Sequence, residues 1–354
     1  MGINPSTYQS LLEDYGLDSK KLTIEELSQG LINDTYVLLE DNTPVYLLQR
    51  INTAVFKNAD AILNNQQRAL SVLRKSNSNY PELKSTVDHQ SFLQDQDQHY
   101  WRLTDFVKNS KAYDSSKDSS MAYEAGKLLA EFHNSLKNEN LEDYQTHLPK
   151  FNDLEFRFEE FDKAFHLGSK ERIQEADEEL ALVDLLKPLL LHHKFNIPLR
   201  VCHNDTKLNN MLFSNEKAIC LIDLDTLMPG YLFYDFGDLF RTAAFSAKEG
   251  ELNLDQIKLN KDYTKSLIQG FCSTIENTSK EELKSLSLGA VYMPFIHGLR
   301  ALTDYFLNDQ YYKVNNPTEN LDRAKSLFRF AKEAHKNNAF IDKCIKEFSS
   351  IPLV

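Results

Sequence analysis

Residues 200–241 read RVCHNDTKLNNMLFSNEKAICLIDLDTLMPGYLFYDFGDLFR, and the rest of the chain is organised around them. An apolar, β-branched run at 199–202 reads as a strand. The polar loop His203-Asn204-Asp205-Thr206-Lys207-Leu208-Asn209-Asn210 follows it. A second apolar run, 211–213, leads through Ser214-Asn215-Glu216-Lys217 to a third at 218–224, with Asp223 and Asp225 at or just past its end. Short strands therefore push a loop bearing an Asp, a Lys and an Asn against a second pair of carboxylates. Charge at the ends of buried strands is costly, and structure alone has little use for so much of it.

The spacing His203-x-Asp205, then Lys207, Asn210 and Asp223, resembles the catalytic loop and metal-binding aspartate of the protein-kinase-like superfamily. The resemblance implies phosphoryl transfer from ATP, with Asp205 orienting the attacking hydroxyl and Lys207 as the cation beside the moving phosphoryl group. It implies Asn210 and Asp223 as the hard oxygen ligands of the Mg2+ carried by ATP. Asp225 joins them, behind Asp223 or on a second ion. The H-x-D-x-x-x-x-N match alone is a weak signal; a strand before it, a strand after it and an Asp at this distance strengthen it. The competing reading is a polar turn with incidental carboxylates, and the flanking strands argue against it.

At 354 residues the chain has room for about two domains. Its hydrophobic fraction of 42% suffices for a full core. The net charge of −12 argues against nucleic acid or an anionic membrane as main partner, while a phosphate site needs only local positive charge. No apolar run approaches the length of a membrane span. The opening MGINPSTYQS lacks the basic and apolar regions of a signal peptide, and its fit to the loose Met-Gly-x-x-x-Ser myristoylation pattern reads as chance. Cys202, Cys220, Cys272 and Cys344 lie far apart with no C-x-x-C, as in reduced, cytoplasmic proteins.

From the N-terminus, 6–15 has helical spacing behind a cap at Ser6. Strands are expected at 22–27, 35–40 and 45–50, the last two joined by a turn at Asp41-Asn42-Thr43-Pro44. The bend 28–35, SQGLINDT, has one glycine and is no GxGxxG loop. In a kinase-like fold this hairpin covers the ATP phosphates, which makes Asn33 and Thr35 nucleotide contacts. The family usually carries a lysine on the third strand and a glutamate on the next helix. Here the strand offers Gln49 and Arg50, and the helix at 60–74, DAILNNQQRALSVLR, has no glutamate. Arg50 is taken as the phosphate cation; strand alternation leaves Gln49 open as the inward residue, and a solvated role for Arg50 equally open.

HYWRLTDFV, 99–107, alternates as a strand and ends where a kinase-like hinge would bind adenine through its backbone, at Asp105, Phe106 and Val107. Trp101 reads as packing. The Ser-, Lys- and Asp-rich stretch 108–120 is the one composition shift, and it sets domains at 1–108 and 109–354. Beyond it, helical spacing recurs at 121–136, 151–165, 173–191, 235–245, 254–275, 281–307 and 321–348. His192 and His193 at a helix end do not share a face, so they form no zinc set.

HNDTKLNN, IDLDTLMPG and YDFGDLFR together resemble the aminoglycoside-phosphotransferase branch of the superfamily. GLINDTYVL, YLLQRIN, HGLRALTDYF and the Tyr311-Tyr312 pair extend the match over nearly the whole chain. The wording is most similar to the branch members that phosphorylate N-acetylhexosamines at the anomeric hydroxyl. The resemblance implies an α+β, two-lobed protein-kinase-like fold, with a small antiparallel-sheet N-lobe and a larger, mostly helical C-lobe that holds the acceptor. A sugar needs hydrogen bonds and a ring to stack on, and Arg300, Asp304, Tyr311, Asp235 and Asp238 offer them. Two structural readings stand beside these: an intrahelical Arg300–Asp304 ion pair, and Asp235 as a helix cap. Other acceptors remain open, namely aminoglycosides, choline or ethanolamine, and amino-acid alcohols. So do a pseudokinase, favoured by the missing Lys–Glu pair, and a metal-dependent hydrolase, which would need no nucleotide.

Overall fold

The computed structural model describes residues 3–27, 32–192 and 196–353, and the chain forms two compact units. The first comprises the residues up to Lys111 together with Asn138–Pro149 and Ile222–Met228; the second comprises Ala112–Lys137, Lys150–Leu221 and the residues from Pro229 on. Two later segments of the chain thus pack with the N-terminal unit. One of them carries Asp223 and Asp225.

The first unit opens with α1, Pro5–Asp14. Its cap is Asn4, whose side chain accepts from the Ser6 backbone at 3.1 Å; Ser6 already lies inside the first turn, behind a proline suited to that place. Then come β1 (Leu22–Leu27), β2 (Asp34–Glu40), β3 (Thr43–Arg50), α2 (Ala59–Ser76), β4 (Leu93–Gln94) and β5 (Tyr100–Asp105). They build a five-stranded antiparallel sheet in the order β1-β2-β3-β5-β4. Asp41 and Asn42, both at positive φ, make the β2–β3 turn, the conformation that matches strand twist in a two-residue hairpin. Residues 28–31 of the preceding bend, with Gly30, lie outside the described residues, as does His193.

Register decides which side chains meet. It sets Thr35, Gln49 and Arg102 in one row across β2, β3 and β5, and Asp34, Arg50 and Trp101 in the next. Neighbouring rows point to opposite faces of a sheet. The Trp101 face packs on α1 through Leu11, Leu12, Tyr15, Tyr36, Leu48 and Leu103. The Arg102 face looks toward α2, from which Gln66 reaches Arg102.

The second unit is mostly helical: α3 (Ser119–Leu136), α4 (Leu154–Leu167), α5 (Lys170–Glu175), α6 (Asp177–Leu191), three short strands β6 (Arg200–Cys202), β7 (Met211–Ser214) and β8 (Lys217–Leu221), then α7 (Leu232–Ala243), α8 (Lys261–Cys272), α9 (Lys280–Phe306), α10 (Glu319–Lys336) and α11 (Asn338–Phe348). Helix α9 is buried on nearly every side, with α4, α7 and α10 packed around it. Helices α7 and α9 touch backbone to backbone. A Cβ on Gly237 would sit 2.1 Å from the Gly289 carbonyl, and one on Gly289 would sit 2.4 Å from that of Phe233.

Three helices expected to be continuous are broken. The 173–191 run splits at Ala176, the 254–275 run begins helix only at Lys261, and the 321–348 run splits at Asn337. The Asn337 side chain bonds back to the Glu333 carbonyl at 2.8 Å, competing with the helix for that acceptor. Apolar periodicity continued through these breaks because the next helix buries the same kind of face. All four cysteines are buried and unpaired, and burial pushes the Cys220 and Cys272 thiols up to about 12. No helix among the described residues is long and apolar enough to cross a membrane.

Candidate active site

Within the second unit the polar loop after β6 is held from below. Asp235, in α7 and fully buried, accepts from the backbone N–H groups of His203 at 2.8 Å and Asn204 at 2.7 Å. Its main-chain oxygen accepts from the Thr206 hydroxyl. The Leu208 N–H donates to the Thr242 hydroxyl at 2.9 Å. Asn204 turns the chain at φ +64, and Gly230 leaves it room: a Cβ there would lie 2.6 Å from Asn204 Oδ1. Asp235 was expected to bind acceptor or to cap α7. It sits inside that helix with both oxygens given to the loop, so its task is to shape the loop. His133, 3.1 Å from Asp235, and Cys202 complete a buried cluster. Burial and the Asp235 charge push the Cys202 thiol well up, and the Asp235 oxygens are already in use, so the cluster is a poor metal site.

On this base the loop presents Asp205, Lys207 and Asn210 as one group. Lys207 Nζ is 3.1 Å from Asp205 Oδ2, and Asn210 Nδ2 donates to the Asp205 carbonyl at 2.8 Å and to its carboxylate at 3.0 Å. The Asp205 and Lys207 side chains keep 23% and 22% of their surface exposed, enough to meet a substrate.

The acceptor candidates of α9 divide. Arg300 is partly buried, its guanidinium 4.9 Å from the Phe151 ring centre and 5.9 Å from that of Tyr311. Burial opposes its charge, but Tyr312 and Tyr311 beside it hold its pKa above the ordinary value. Asp304 neither pairs with Arg300 nor is open to a ligand. It is buried and accepts from the N–H groups of Tyr311 at 2.8 Å and Tyr312 at 2.9 Å, and from Asn320 at 2.8 Å. It therefore fixes the loop that carries Tyr311.

Sequence reasoning named Asp238 only beside Asp235 and missed its partners. Asp238 Oδ1 accepts from Arg241 Nε at 2.7 Å and lies 3.1 Å from His297 Nε2. Its Oδ2 is buried with no hydrogen-bond partner among the described residues. Burial would raise the Asp238 pKa, but Arg241 and His297 hold it well below the carboxylate range. Glu249 pairs with Arg241; burial opposes its charge, but Arg241, His297 and Lys207 bring its pKa down to about 2. A pair of spaced helix positions, Asp238 and Arg241 facing His297 and Arg300, was the available signal, but nothing in the sequence says that α7 and α9 meet.

In the first unit the phosphate-side residues are arranged differently from expectation. Arg50 donates through Nε to Asp34 at 2.8 Å and lies 5.8 Å from the Trp101 ring centre, on the α1 face of the sheet. The buried cation on the other face is Arg102, 1% exposed. It donates to Gln49 at 3.0 Å, to Gln66 at 2.9 Å and to Asp225. Gln49 also reaches the Thr35 hydroxyl at 3.2 Å, and Asn33 donates to the second oxygen of Asp225. Asn33, Thr35 and Asp225 thus belong to one internal network. At the expected hinge, the N–H groups of Asp105 and Phe106 are already given to the carbonyls of Glu82 at 3.0 Å and Val45 at 2.9 Å.

Mg2+ prefers hard oxygens, and each unit offers candidates. In the second unit Asn210 spends its amide nitrogen on Asp205, which leaves its amide oxygen for a hard cation. In the first unit both oxygens of Asp225 are taken by Asn33 and Arg102, which makes it a poor metal ligand.

A family model described as the phosphotransferase enzyme family matches residues 23–265. Among solved structures, a microcompartment-associated aminopropanol kinase superposes with a TM-score of 0.65 at 15% identity, covering 96% of this chain and 99% of its own. An aminoglycoside phosphotransferase from Alicyclobacillus acidocaldarius gives 0.64 at 15% identity, covering 98% and 97%. Choline kinase LicA from Streptococcus pneumoniae gives 0.54 at 14% identity, covering 94% and 99%. Likeness at this identity is one of fold, and the fold is the protein-kinase-like α+β arrangement.

Proposed function

The chain belongs to the phosphotransferase enzyme family, and on that footing we propose that it transfers the terminal phosphoryl group of ATP to the anomeric hydroxyl of an N-acetylhexosamine, giving a sugar 1-phosphate. The observation that supports the acceptor reading is the cation and ring group near the end of α9. Arg300, partly exposed and close to the Phe151 and Tyr311 rings, suits sugar oxygens beside an apolar face. A cationic acceptor would be repelled by Arg300, for which no ion pair is found among the described residues.

Asp205 takes the proton of the anomeric hydroxyl as that oxygen attacks the γ-phosphorus, and the bond to the departing ADP breaks. An anomeric hydroxyl is more acidic than a simple alcohol, so a carboxylate of modest basicity suffices. Lys207 offsets the negative charge gathered around the moving group. Mg2+, held by Asn210 and Asp223, would polarise the phosphates and orient them. Asn33 and Thr35 belong to the phosphate-covering hairpin, and the backbone at Val107 is the remaining hinge contact for adenine.

The test is an ATP-dependent screen of N-acetylglucosamine, N-acetylgalactosamine, their methyl glycosides, choline, ethanolamine, an amino-acid alcohol and aminoglycosides, with phosphorus NMR of any product. The free hexosamine should react at its anomeric oxygen and the methyl glycoside should not. Phosphorylation of both sugars to the same extent, or of choline or an aminoglycoside alone, would overturn the 1-kinase reading.

A further inference from the structure

Asp223 stands in a left-handed backbone conformation, φ +61 and ψ +56, which costs a non-glycine residue about 1–2 kcal/mol and persists only where the surroundings impose it. The surroundings here are specific. Two residues on, the Asp225 side chain takes Asn33 on one oxygen and Arg102 on the other. The Asp225 carbonyl lies 2.7 Å from His147 Nε2, and the Leu227 carbonyl accepts from Asn65 of α2 at 2.9 Å. Arg102 is itself forked onto Gln49 of β3 and Gln66 of α2. Four parts of the first unit thus bond a single turn, namely the hairpin at Asn33, α2, β5 and the 138–149 segment, and β3 supports it through Arg102.

A buried ion pair adds little net stability, and apolar residues of similar volume commonly replace one without loss. Its presence 1–2% exposed, tied to every neighbouring element, calls for another reason. We propose that the Arg102–Asp225 pair is a positioning device: it locks the turn after β8 so that the Asp223 carboxylate is held in the orientation that receives the metal of the nucleotide. This rests on the assignment of Asp223 as the metal-bearing carboxylate under the kinase reading. Arg102 acts through Asp225 and the backbone, without itself needing to touch the nucleotide.

The experiment is calorimetric binding of a non-hydrolysable ATP analogue to the full chain, with Mg2+ and with EDTA, which involves no turnover and no acceptor. Failure of the hexosamine reading therefore leaves it intact. The variants are Asp223→Ala, Arg102→Lys and the double Arg102→Met/Asp225→Asn, with thermal unfolding recorded for each. The double variant removes both charges, so neither is left buried and unpaired. Arg102→Lys keeps the charge and loses the fork. In the wild type Mg2+ should tighten binding, and Asp223→Ala should abolish that gain. The double variant should lose about tenfold of the gain and Arg102→Lys about threefold, with affinity in EDTA changed less than about threefold. A folded double variant, or a folded lysine variant, with the full Mg2+ gain overturns the proposal. So does an equal loss of affinity in EDTA, which would show a direct nucleotide contact. Loss of the gain in the double variant but not in Asp223→Ala overturns it as well, because the pair would then be serving some other group.

Discussion

Asp205 sits where a carboxylate can both meet a substrate and be supported, between Lys207 and Asn210. Asp205→Asn keeps the shape and removes the charge proposed to take the proton. Its kcat should fall by about 10³-fold, with nucleotide affinity and melting temperature nearly unchanged; near-normal turnover in a steady-state assay would mean that another group does this work. Arg300→Ala removes a contact present already in the ground state. It should raise the sugar KM about tenfold and leave the ATP KM within about twofold, and equal changes in both would place Arg300 outside the acceptor site. These residues were legible because the first three share one short loop and the fourth lies in a motif. Arg102 was not, although HYWRLTDFV displays it in plain view. Its partner Gln49 is set by register between β3 and β5, and Asp225 arrives from far along the chain; neither pairing has a local signature.

Helix α7 supports the loop beneath Asp205 through Asp235 and carries Asp238 less than one turn further on. Its start is not marked by a capping side chain: the N-cap is Tyr231, and Asp235, read as a cap, lies a turn inside. Sequence patterns identify an acidic residue near a helix start without telling whether it turns inward or back to its own backbone. Removing it tests the difference. Asp235→Ala strips the acceptor from two buried N–H groups and should cost about 2–4 kcal/mol of stability. It should also lower kcat more than either KM, since the loop beneath Asp205 would lose its footing. Chemical denaturation together with steady-state kinetics gives both numbers. A surface cap would cost nearer 1 kcal/mol and leave kcat alone. Element identities were well marked by periodicity, while the breaks at Ala176 and Asn337 were not, because hydrophobic spacing survives a change of helix axis.

For the molecule as a whole, the Asp238–Arg241–His297 group predicts how stability responds to acid. Burial disfavours the charged imidazole of His297 and lowers its pKa, with Arg241 and Arg300 adding to the effect and Asp238 opposing it. The unfolded chain therefore binds a proton there before the folded one does, and stability should begin to fall as pH drops below about 6.5. Asp238, held low by its cationic neighbours, continues the fall below the ordinary aspartate value near 4 as the pH approaches its folded-state pKa. Glu249 acts in the same direction but more weakly, since 37% of its side chain is exposed and solvent screens its charge. Melting temperatures between pH 8 and pH 4 should show a decline starting near 6.5. In His297→Gln the first part of that decline should flatten, and an unchanged profile would remove His297 from the account.

Read at this scale, the sequence disclosed the fold through one loop and its flanking strands, because the chemistry and the local structure coincide there. The surroundings of Asp238 and His297 were less legible, because they depend on two helices meeting through bare backbone at Gly237 and Gly289. That contact bears on how new specificities could arise. With carbonyl against Cα and no side chain between, α7 and α9 have no slack in which to slide or part, so Asp238 and Arg300 keep a constant separation. Beyond α9, by contrast, comes a short loop hung on Asp304 and carrying the exposed Tyr311. Under the proposed acceptor reading, laboratory evolution toward bulkier acceptors should therefore accumulate changes around residues 309–312 and spare the two glycines.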